Sequence, residues 1–187
     1  MFCIGCEMLG TEHRKYDWLY LIDEVRRVYK GKIIYNTNHD HEDDQEWFDT
    51  LDYIGTSAYY PVGGESRTYE EMHKNWMEVR YRLDAIAKDR NKQYIFMEIG
   101  CRSVKEASTH PWDFTEDLAW DENEQATFIK SCYAVFLPSP YLAGVCWCEW
   151  PAVSYTDRRA AEQDRGFSIH LKKAEEVMKD YTRKFSK

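Results

Sequence analysis

Two glutamates each stand alone among apolar residues, unlike most of the 33 acidic residues of this chain. Glu98 is the one acid in the stretch YIFMEIG at 94–100, and Glu7 is the one acid in FCIGCEM at 2–8. Glycosidic-bond hydrolysis requires two carboxyl groups, one to protonate the leaving oxygen and one to attack or to activate water. The pattern therefore predicts a catalytic pair. The alternative for each glutamate is a solvated position at the rim of a sheet.

The elements that would position this pair can be read from the apolar periodicity of the sequence. Short, continuously apolar stretches predict five β-strands, at residues 1–8, 32–38, 53–62, 93–100 and 142–150. Helical spacing follows each strand and predicts helices at residues 16–31, 42–51, 69–89, 122–136 and 171–184. Strands that alternate with helices are typical of a parallel sheet whose outer face is covered by helices.

Polar and aromatic residues collect where these predicted strands end. Functional sites of such sheets lie at the carboxyl ends of the strands, which here carry Glu7, Asn36, Asn38, Tyr59, Tyr60, Glu98, Trp147 and Trp150. Flat rings bind sugars through their apolar faces, and Trp147 and Trp150 are the best candidates for that contact. The chain has 7 Trp and 14 Tyr, and the alternative for these rings is a large aromatic core.

At these residues the sequence resembles glycoside hydrolase family 113, the endo-β-mannanases, within the clan of retaining (β/α)8-barrel glycosidases. The resemblance is carried, in the expected order along the chain, by the stretches FCIGCEM, KIIYNTNHD, YIGTSAYYP, IFMEIG, GVCWCEWP and DRGFSIHLKKAEEV. It implies a retaining hydrolase of β-mannan or related β-linked glycans that requires no cofactor.

The resemblance also implies a role for individual residues. Glu7 would be the general acid/base and Glu98 the nucleophile, with Tyr59 or Tyr60 hydrogen-bonded to the nucleophile. Trp147 would form the floor of the subsite that holds the reacting sugar. Much of the clan has Asn directly before the acid/base, whereas this chain has Cys6. The contact to the sugar 2-hydroxyl is therefore unassigned, with Asn36 and Asn38 as candidates.

The length predicts only part of a barrel. A (β/α)8 barrel typically takes about 250 residues, whereas this chain has 187. We expect residues 1–187 to form a single domain, a partial (β/α)8 TIM barrel whose five strands correspond to strands four to eight. Such a piece exposes sheet edges, so we expect it to associate with a second copy or with a missing N-terminal portion of the barrel. The rival hypothesis is an inactive fragment that self-associates and binds glycan weakly.

Composition excludes other classes of function. The net charge of −8 argues against nucleic-acid binding, which requires a basic surface. No apolar run approaches the roughly 20 residues that span a bilayer, and Met1 leads directly into a strand without the basic region of a signal peptide. Six cysteines that look reduced and buried, together with the missing signal, favour the cytoplasm.

Two segments raise the alternative of a metal site. Cys3 and Cys6 form a C-x-x-C pair, but residues three apart on a strand point to opposite faces. Histidines and carboxylates alternate through NHDHEDD at 38–44 and could ligate a divalent ion. The preferred interpretation of this segment is a solvated loop whose acids begin a short helix. We therefore predict no metal site.

Overall fold

A computed structural model describes residues 1–115, 117–151 and 155–185 of the chain. Five parallel strands form one sheet in sequence order, and all five match predicted strands. They are β1 (Phe2–Cys6), β2 (Ile33–Asn38), β3 (Ile54–Ser57), β4 (Tyr94–Ile99) and β5 (Leu142–Trp147). This arrangement is that of a partial TIM barrel, as the family resemblance and the chain length predict.

The described helices are α1 (Leu9–Glu12), α2 (Lys15–Val28), α3 (Tyr69–Asp89), α4 (Glu122–Phe136), α5 (Arg158–Gln163) and α6 (Lys173–Phe185), with a 3-10 helix at Glu46–Thr50. The predicted ranges of α3 and α4 are confirmed to the residue. α1 and α5 were not predicted, because pieces of four and six residues are too short to show a period. No helix in the described part of the chain is long and apolar enough to cross a membrane.

The chain divides into two compact units, which are described separately. The first comprises residues 1–58, 82–98 and 140–146, and the second comprises residues 59–81, 99–139 and 147–187. The first unit thus holds Glu7, Asn36, Asn38 and Glu98, whereas the candidate tyrosines and tryptophans belong to the second.

An aromatic cluster holds α2 against β2 in the first unit. The rings of Trp18 and Trp47 stack with centroids 4.7 Å apart, and Tyr35 meets both edge-on at 5.1 and 5.2 Å. All three side chains are buried. Aromatic pairs in these arrangements contribute roughly 0.5–1.5 kcal/mol beyond the area that they bury, so this cluster fixes β2, the strand that carries Asn36.

The second unit has its own aromatic core around Trp76. Trp76 on α3 is fully buried and meets Tyr60, Phe128 and Phe136 edge-on at centroid distances of 5.2–5.9 Å. The side chain of Glu124 also lies inside this unit, where its Oε1 accepts hydrogen bonds from the backbone N–H and hydroxyl of Ser108. These contacts hold the long segment between β4 and α4.

The first unit departs from the apolar pattern of the sequence in three places. β1, a continuously apolar stretch, lies at one edge of the sheet, and Phe2 is 46% exposed. Val28, the last residue of α2, is 86% exposed. The helix predicted at 42–51 is a single 3-10 turn, because side chains from outside the turn bind its carbonyl groups: Arg90 donates to Gln45 O and Lys92 to Asp49 O.

Candidate active site

The parallel register brings four side chains to the same region of the first unit. Cys6 at the end of β1 pairs with Asn36 on β2, and Ser57 at the end of β3 pairs with Glu98 on β4. Register partners in a parallel sheet point to the same face. Asn38 is the register partner of Ser57. Asn36 lies two residues earlier on the same strand, so its side chain points to the same face as Asn38 and lies close to the Ser57–Glu98 pair.

Glu98 is half-buried, and two side chains of the first unit hold one of its oxygens. Asn36 Nδ2 donates to Glu98 Oε1 at 3.2 Å, and the Cys6 thiol donates to the same oxygen at 3.5 Å. Asn36 Nδ2 also lies 2.9 Å from Ser57 Oγ and 3.3 Å from Cys6 Sγ. Glu98, in an otherwise apolar strand, is therefore held by a polar cluster of three side chains: Cys6, Asn36 and Ser57.

Glu7 follows the end of β1 in an unusual backbone conformation. Its φ is 50°, a region that is sterically unfavourable for residues with a Cβ and is enriched at functional sites. Its N–H donates to Asn36 O at 2.8 Å, which ties the turn to the strand that supports Glu98. The residue is exposed, as a group that must reach a substrate has to be.

A buried network below Glu7 fixes the segment that follows it. The Tyr35 hydroxyl accepts from the N–H of Met8 at 2.7 Å and donates to the carboxylate of Glu12 at 2.7 Å. Glu12 is 2% exposed, and its carbonyl accepts from the indole N–H of Trp47. Burial and the hydrogen bond to Glu12 raise the pKa of Tyr35, so it stays a neutral donor.

The charges of both candidate catalytic carboxylates, Glu7 and Glu98, affect the pKa of the Cys6 thiol. Its pKa is raised to about 11, mainly by desolvation. The hydrogen bond from Asn36 opposes this rise, whereas the charge of Glu98, the hydrogen bond to Glu98 and the charge of Glu7 add to it. The two carboxylates thus act on one sulfur atom. Cys6 is a neutral thiol at physiological pH and is available as a hydrogen-bond donor.

The remaining predicted residue of the first unit is Asn38, which ends β2 half-buried. Its Oδ1 is buried without a hydrogen-bond partner in the described part of the chain. Its contact with the sugar stays a prediction, as does that of Asn36.

The four predicted aromatic residues lie in the second unit. Tyr59 is half-buried and meets Phe167 edge-on at 6.3 Å, whereas Tyr60 is 2% exposed and packs on Trp76. Trp147 is half-buried and donates from Nε1 to the Tyr133 hydroxyl at 2.6 Å, and Trp150 is 57% exposed against the ring of His170. Their roles toward the sugar and toward Glu98 stay predictions.

The segment considered for a metal ion uses its acids in ion pairs. Arg82 donates to Glu42 Oε2 at 2.7 Å and to Asp40 Oδ1 at 2.8 Å, and His41 Nδ1 lies 2.5 Å from Asp44 Oδ2. The pKa of His41 is raised, mainly through that hydrogen bond. Within the described residues, no group of three or more His, Cys, Asp or Glu side chains is arranged to hold a metal ion.

Sequence reasoning missed the participation of Cys6 and Ser57. It noted Cys6 as a departure from the asparagine of related enzymes and as part of a C-x-x-C pair, and it gave Ser57 no role. Cys6 is the last residue of β1, and Ser57 is the last residue of β3. Their position at the carboxyl end of a parallel strand is the signal that could have identified them.

The family model of Glycoside Hydrolase Family 113 matches residues 1–172. The chain belongs to this family. Among solved structures, a family 113 β-mannanase, AaManA from Alicyclobacillus acidocaldarius in complex with ManMIm, is 34% identical with a TM-score of 0.85. That match covers 100% of this chain and 55% of AaManA.

Two further structures resemble the chain. A family 113 β-1,4-mannanase is 30% identical with a TM-score of 0.86, and the match covers 98% of this chain and 55% of that enzyme. A β-glucuronidase from Ruminococcus gnavus shares the fold alone, at 16% identity and a TM-score of 0.58. That match covers 86% of this chain and 29% of the β-glucuronidase. No curated protein matches the chain. The chain thus spans about half the length of the solved family 113 enzymes.

Proposed function

We propose that this chain carries the catalytic pair of a retaining glycoside hydrolase that acts on β-mannan or a related β-linked glycan. One observation carries the proposal: Glu98, at the end of β4, has its Oε1 held by the Asn36 amide and the Cys6 thiol. Membership of family 113 and the two β-mannanase structures support the class of substrate.

In this proposal the reaction runs in two displacements. The Glu98 carboxylate attacks the anomeric carbon while the glycosidic C–O bond breaks and the leaving oxygen takes the proton of Glu7. A water molecule then attacks the same carbon, gives its proton to Glu7, and releases Glu98 as a carboxylate. Two inversions leave the product with the configuration of the substrate. Retaining enzymes place the two carboxyl groups roughly 5–5.5 Å apart.

The first test is hydrolysis of manno-oligosaccharides by the purified chain and by Glu98→Gln. We expect product from the parent chain and a loss of at least about 1,000-fold in kcat for the variant, because the amide cannot form the glycosyl intermediate. Glu70→Gln, the same change at an exposed position in the first turn of α3, is the matched control and should keep full activity. Unchanged hydrolysis by Glu98→Gln would exclude Glu98 as the nucleophile.

Azide separates the roles of the two glutamates. With an activated aryl β-mannoside and azide, Glu98→Ala should yield the α-mannosyl azide, since azide replaces the missing nucleophile in one inversion. Glu7→Ala should yield the β-mannosyl azide, since azide then attacks the glycosyl-Glu98 intermediate. The opposite pairing of variant and product would exchange the two roles.

The alternative function is an inactive fragment that self-associates and binds glycan weakly. It is favoured by the coverage of only 55% of the solved enzymes and by the exposed residues of the edge strands β1 and β5. Calorimetric titration with mannohexaose distinguishes the two. Binding without product in the parent chain would favour the fragment, and product that disappears in Glu98→Gln would favour the enzyme.

A further inference from the structure

Glu98 accepts a hydrogen bond from Cys6, a residue to which the sequence analysis assigned no role in the site. We propose that Cys6 and Asn36 are positioning residues that together fix the orientation of the Glu98 carboxylate by donating two hydrogen bonds to its Oε1. This inference rests on the proposed function, because it assigns the support of that reaction's nucleophile.

The Asn36 amide has one sensible orientation in this cluster. Its Nδ2 lies within hydrogen-bond distance of Glu98 Oε1, Ser57 Oγ and Cys6 Sγ, whereas its Oδ1 is buried without a partner in the described part of the chain. Turning the amide by 180° would place Oδ1 against a carboxylate oxygen, and two acceptors would then face each other. The charge of Glu98 therefore selects the donor orientation of Asn36, at the expense of leaving Oδ1 unpaired.

The thiol of Cys6 completes the support from the neighbouring strand. Sγ lies 3.5 Å from Glu98 Oε1 and donates to it, and it lies 3.3 Å from Asn36 Nδ2. The amide has two hydrogens for its three acceptors, so the sulfur shares one of them with another acceptor. The longer bonds of sulfur suit this span, and a neutral thiol is the form that carries a donor proton. The charges of two carboxylates, Glu98 and Glu7, raise the pKa of this thiol, and the thiol in turn adds to the rise in the pKa of Tyr35.

Ser57 makes the support rigid. Its side chain is fully buried, and its Oγ accepts from Asn36 at 2.9 Å, the shortest contact of the cluster. Ser57 is also the register partner of Glu98. Asn36 is thus anchored to the strand beside the carboxylate that it supports, and preorganised donors of this kind need no rearrangement during the reaction.

The first experiment measures the reactivity of the Cys6 thiol and needs no turnover. The chain carries Cys3→Ser, so that Cys6 is the one cysteine of the tryptic peptide 1–14. Iodoacetamide, an uncharged reagent, labels the folded chain at pH 8.5, and mass spectrometry follows the peptide. Replacing Glu98 by Gln removes the negative charge that stabilises the protonated thiol, and it leaves the weaker, neutral amide oxygen as acceptor. We expect at least about threefold faster labelling, which corresponds to a fall of half a pKa unit.

Controls make the result specific. Glu7→Gln removes a charge without a hydrogen bond to the thiol, so its acceleration should be smaller than that of Glu98→Gln, and Glu70→Gln should cause none. Cys101, fully buried and alone in the tryptic peptide 93–102, should stay unlabelled and so reports unfolding. If Glu98→Gln labels at the rate of Glu70→Gln while Cys101 is protected, Cys6 does not donate to Glu98 and the proposal fails.

The second experiment tests positioning with the parent chain, Cys6→Ser and Cys6→Ala on mannohexaose. Loss of the donor in Cys6→Ala should lower kcat about tenfold with KM within twofold, and the hydroxyl of Cys6→Ser should restore most of kcat. Equal kcat in all three would overturn the positioning role. A parent chain without turnover would instead contradict the proposed function, and the labelling result would decide alone whether the Cys6 thiol donates to Glu98.

Discussion

At the scale of single residues, burial of a carboxylate does not identify a catalytic group; its partners do. Glu12 and Glu42 are more buried than Glu98, at 2% and 0% exposed. Glu42 accepts from Arg82 and from the hydroxyl of Thr56, and Glu12 accepts from Tyr35. Glu98 is half-buried at a strand end, where the Cys6 thiol and the Asn36 amide both donate to its Oε1. Two neutral donors on one oxygen are the support that we propose for a nucleophile at this position.

Replacing Arg82 by Met should destabilise the fold. Its guanidinium donates to Glu42, whose side chain is fully buried, and a buried carboxylate that loses its cation is left with an uncompensated charge. We expect the free energy of unfolding to fall by about 2–3 kcal/mol in urea titrations, below the usual buried-pair cost because Arg82 is itself one-third exposed. Arg27→Met, which breaks an exposed pair with Glu24, is the control and should cost less than about 0.5 kcal/mol. Equal losses would show that Arg82 has no special role.

At the scale of elements, Asp52 joins the start of β2 to the end of α2. Its carboxylate accepts from the N–H of Ile33 at 2.8 Å, from Arg26 at 2.6 Å and from Lys32 at 3.1 Å. Its own N–H donates to Ile33 O at 2.9 Å. Desolvation alone would raise the pKa of Asp52, but these hydrogen bonds outweigh it and hold the pKa at about 2.

This shift predicts acid sensitivity. The pKa of Asp52 is lower in the folded chain than its ordinary value of 3.8, so its contribution is fully present above pH 4 and is lost as the pH falls toward 2. We expect about 2 kcal/mol of unfolding free energy to disappear over that window. Urea titrations from pH 5 to pH 2 check it. Asp52→Asn should be less stable at pH 5 and should show a correspondingly weaker pH dependence; a slope equal to that of the parent chain would contradict the assignment.

How much of these elements the sequence could predict depended on their length. Helix α3 shows its period over 21 residues, with buried apolar side chains at Met72, Trp76, Leu83 and Ile86, and its range was predicted correctly. The strands were also predicted, because their apolar stretches are continuous. The cluster around Glu98 was predicted in part: Asn36 was placed by the strand-end rule, but the contact of Cys6 depends on the register between strands. Pairing register is a tertiary property, and one sequence without homologues does not contain it.

At the scale of the whole molecule, large apolar side chains are exposed on helix α2 and on the edge strand β1. Tyr16, Tyr20 and Val28 on α2 are 66–86% exposed, and Phe2 on β1 is 46% exposed. An edge strand with unpaired backbone groups next to such a surface is a site of association. Chains that close a barrel have no such edge.

We therefore expect the purified chain to self-associate as its concentration rises. Light scattering after size exclusion should show a mass above that of one chain at about 5 mg/mL. The double variant Tyr20→Lys, Val28→Lys should return it to the monomer, because two charges on α2 make its burial unfavourable. Tyr81→Lys, at another 66% exposed aromatic position, is the control and should change little. A parent chain that stays monomeric would exclude association through this edge.

Two cysteines, one on each edge of the sheet, can report which edges meet when chains associate. Cys3 on β1 and Cys146 on β5 are free and exposed, one on each outer strand of the sheet. A disulfide forms only between cysteines whose Cα atoms come within about 4.4–6.8 Å. Air oxidation should thus give a covalent dimer through the edges that meet. A Cys3–Cys3 bond would indicate two β1 edges face to face, and a Cys3–Cys146 bond would indicate head-to-tail joining of sheets. In preparations kept without reductant, the proportions of the two disulfides would accordingly show which edges of the sheet meet in the associated chains.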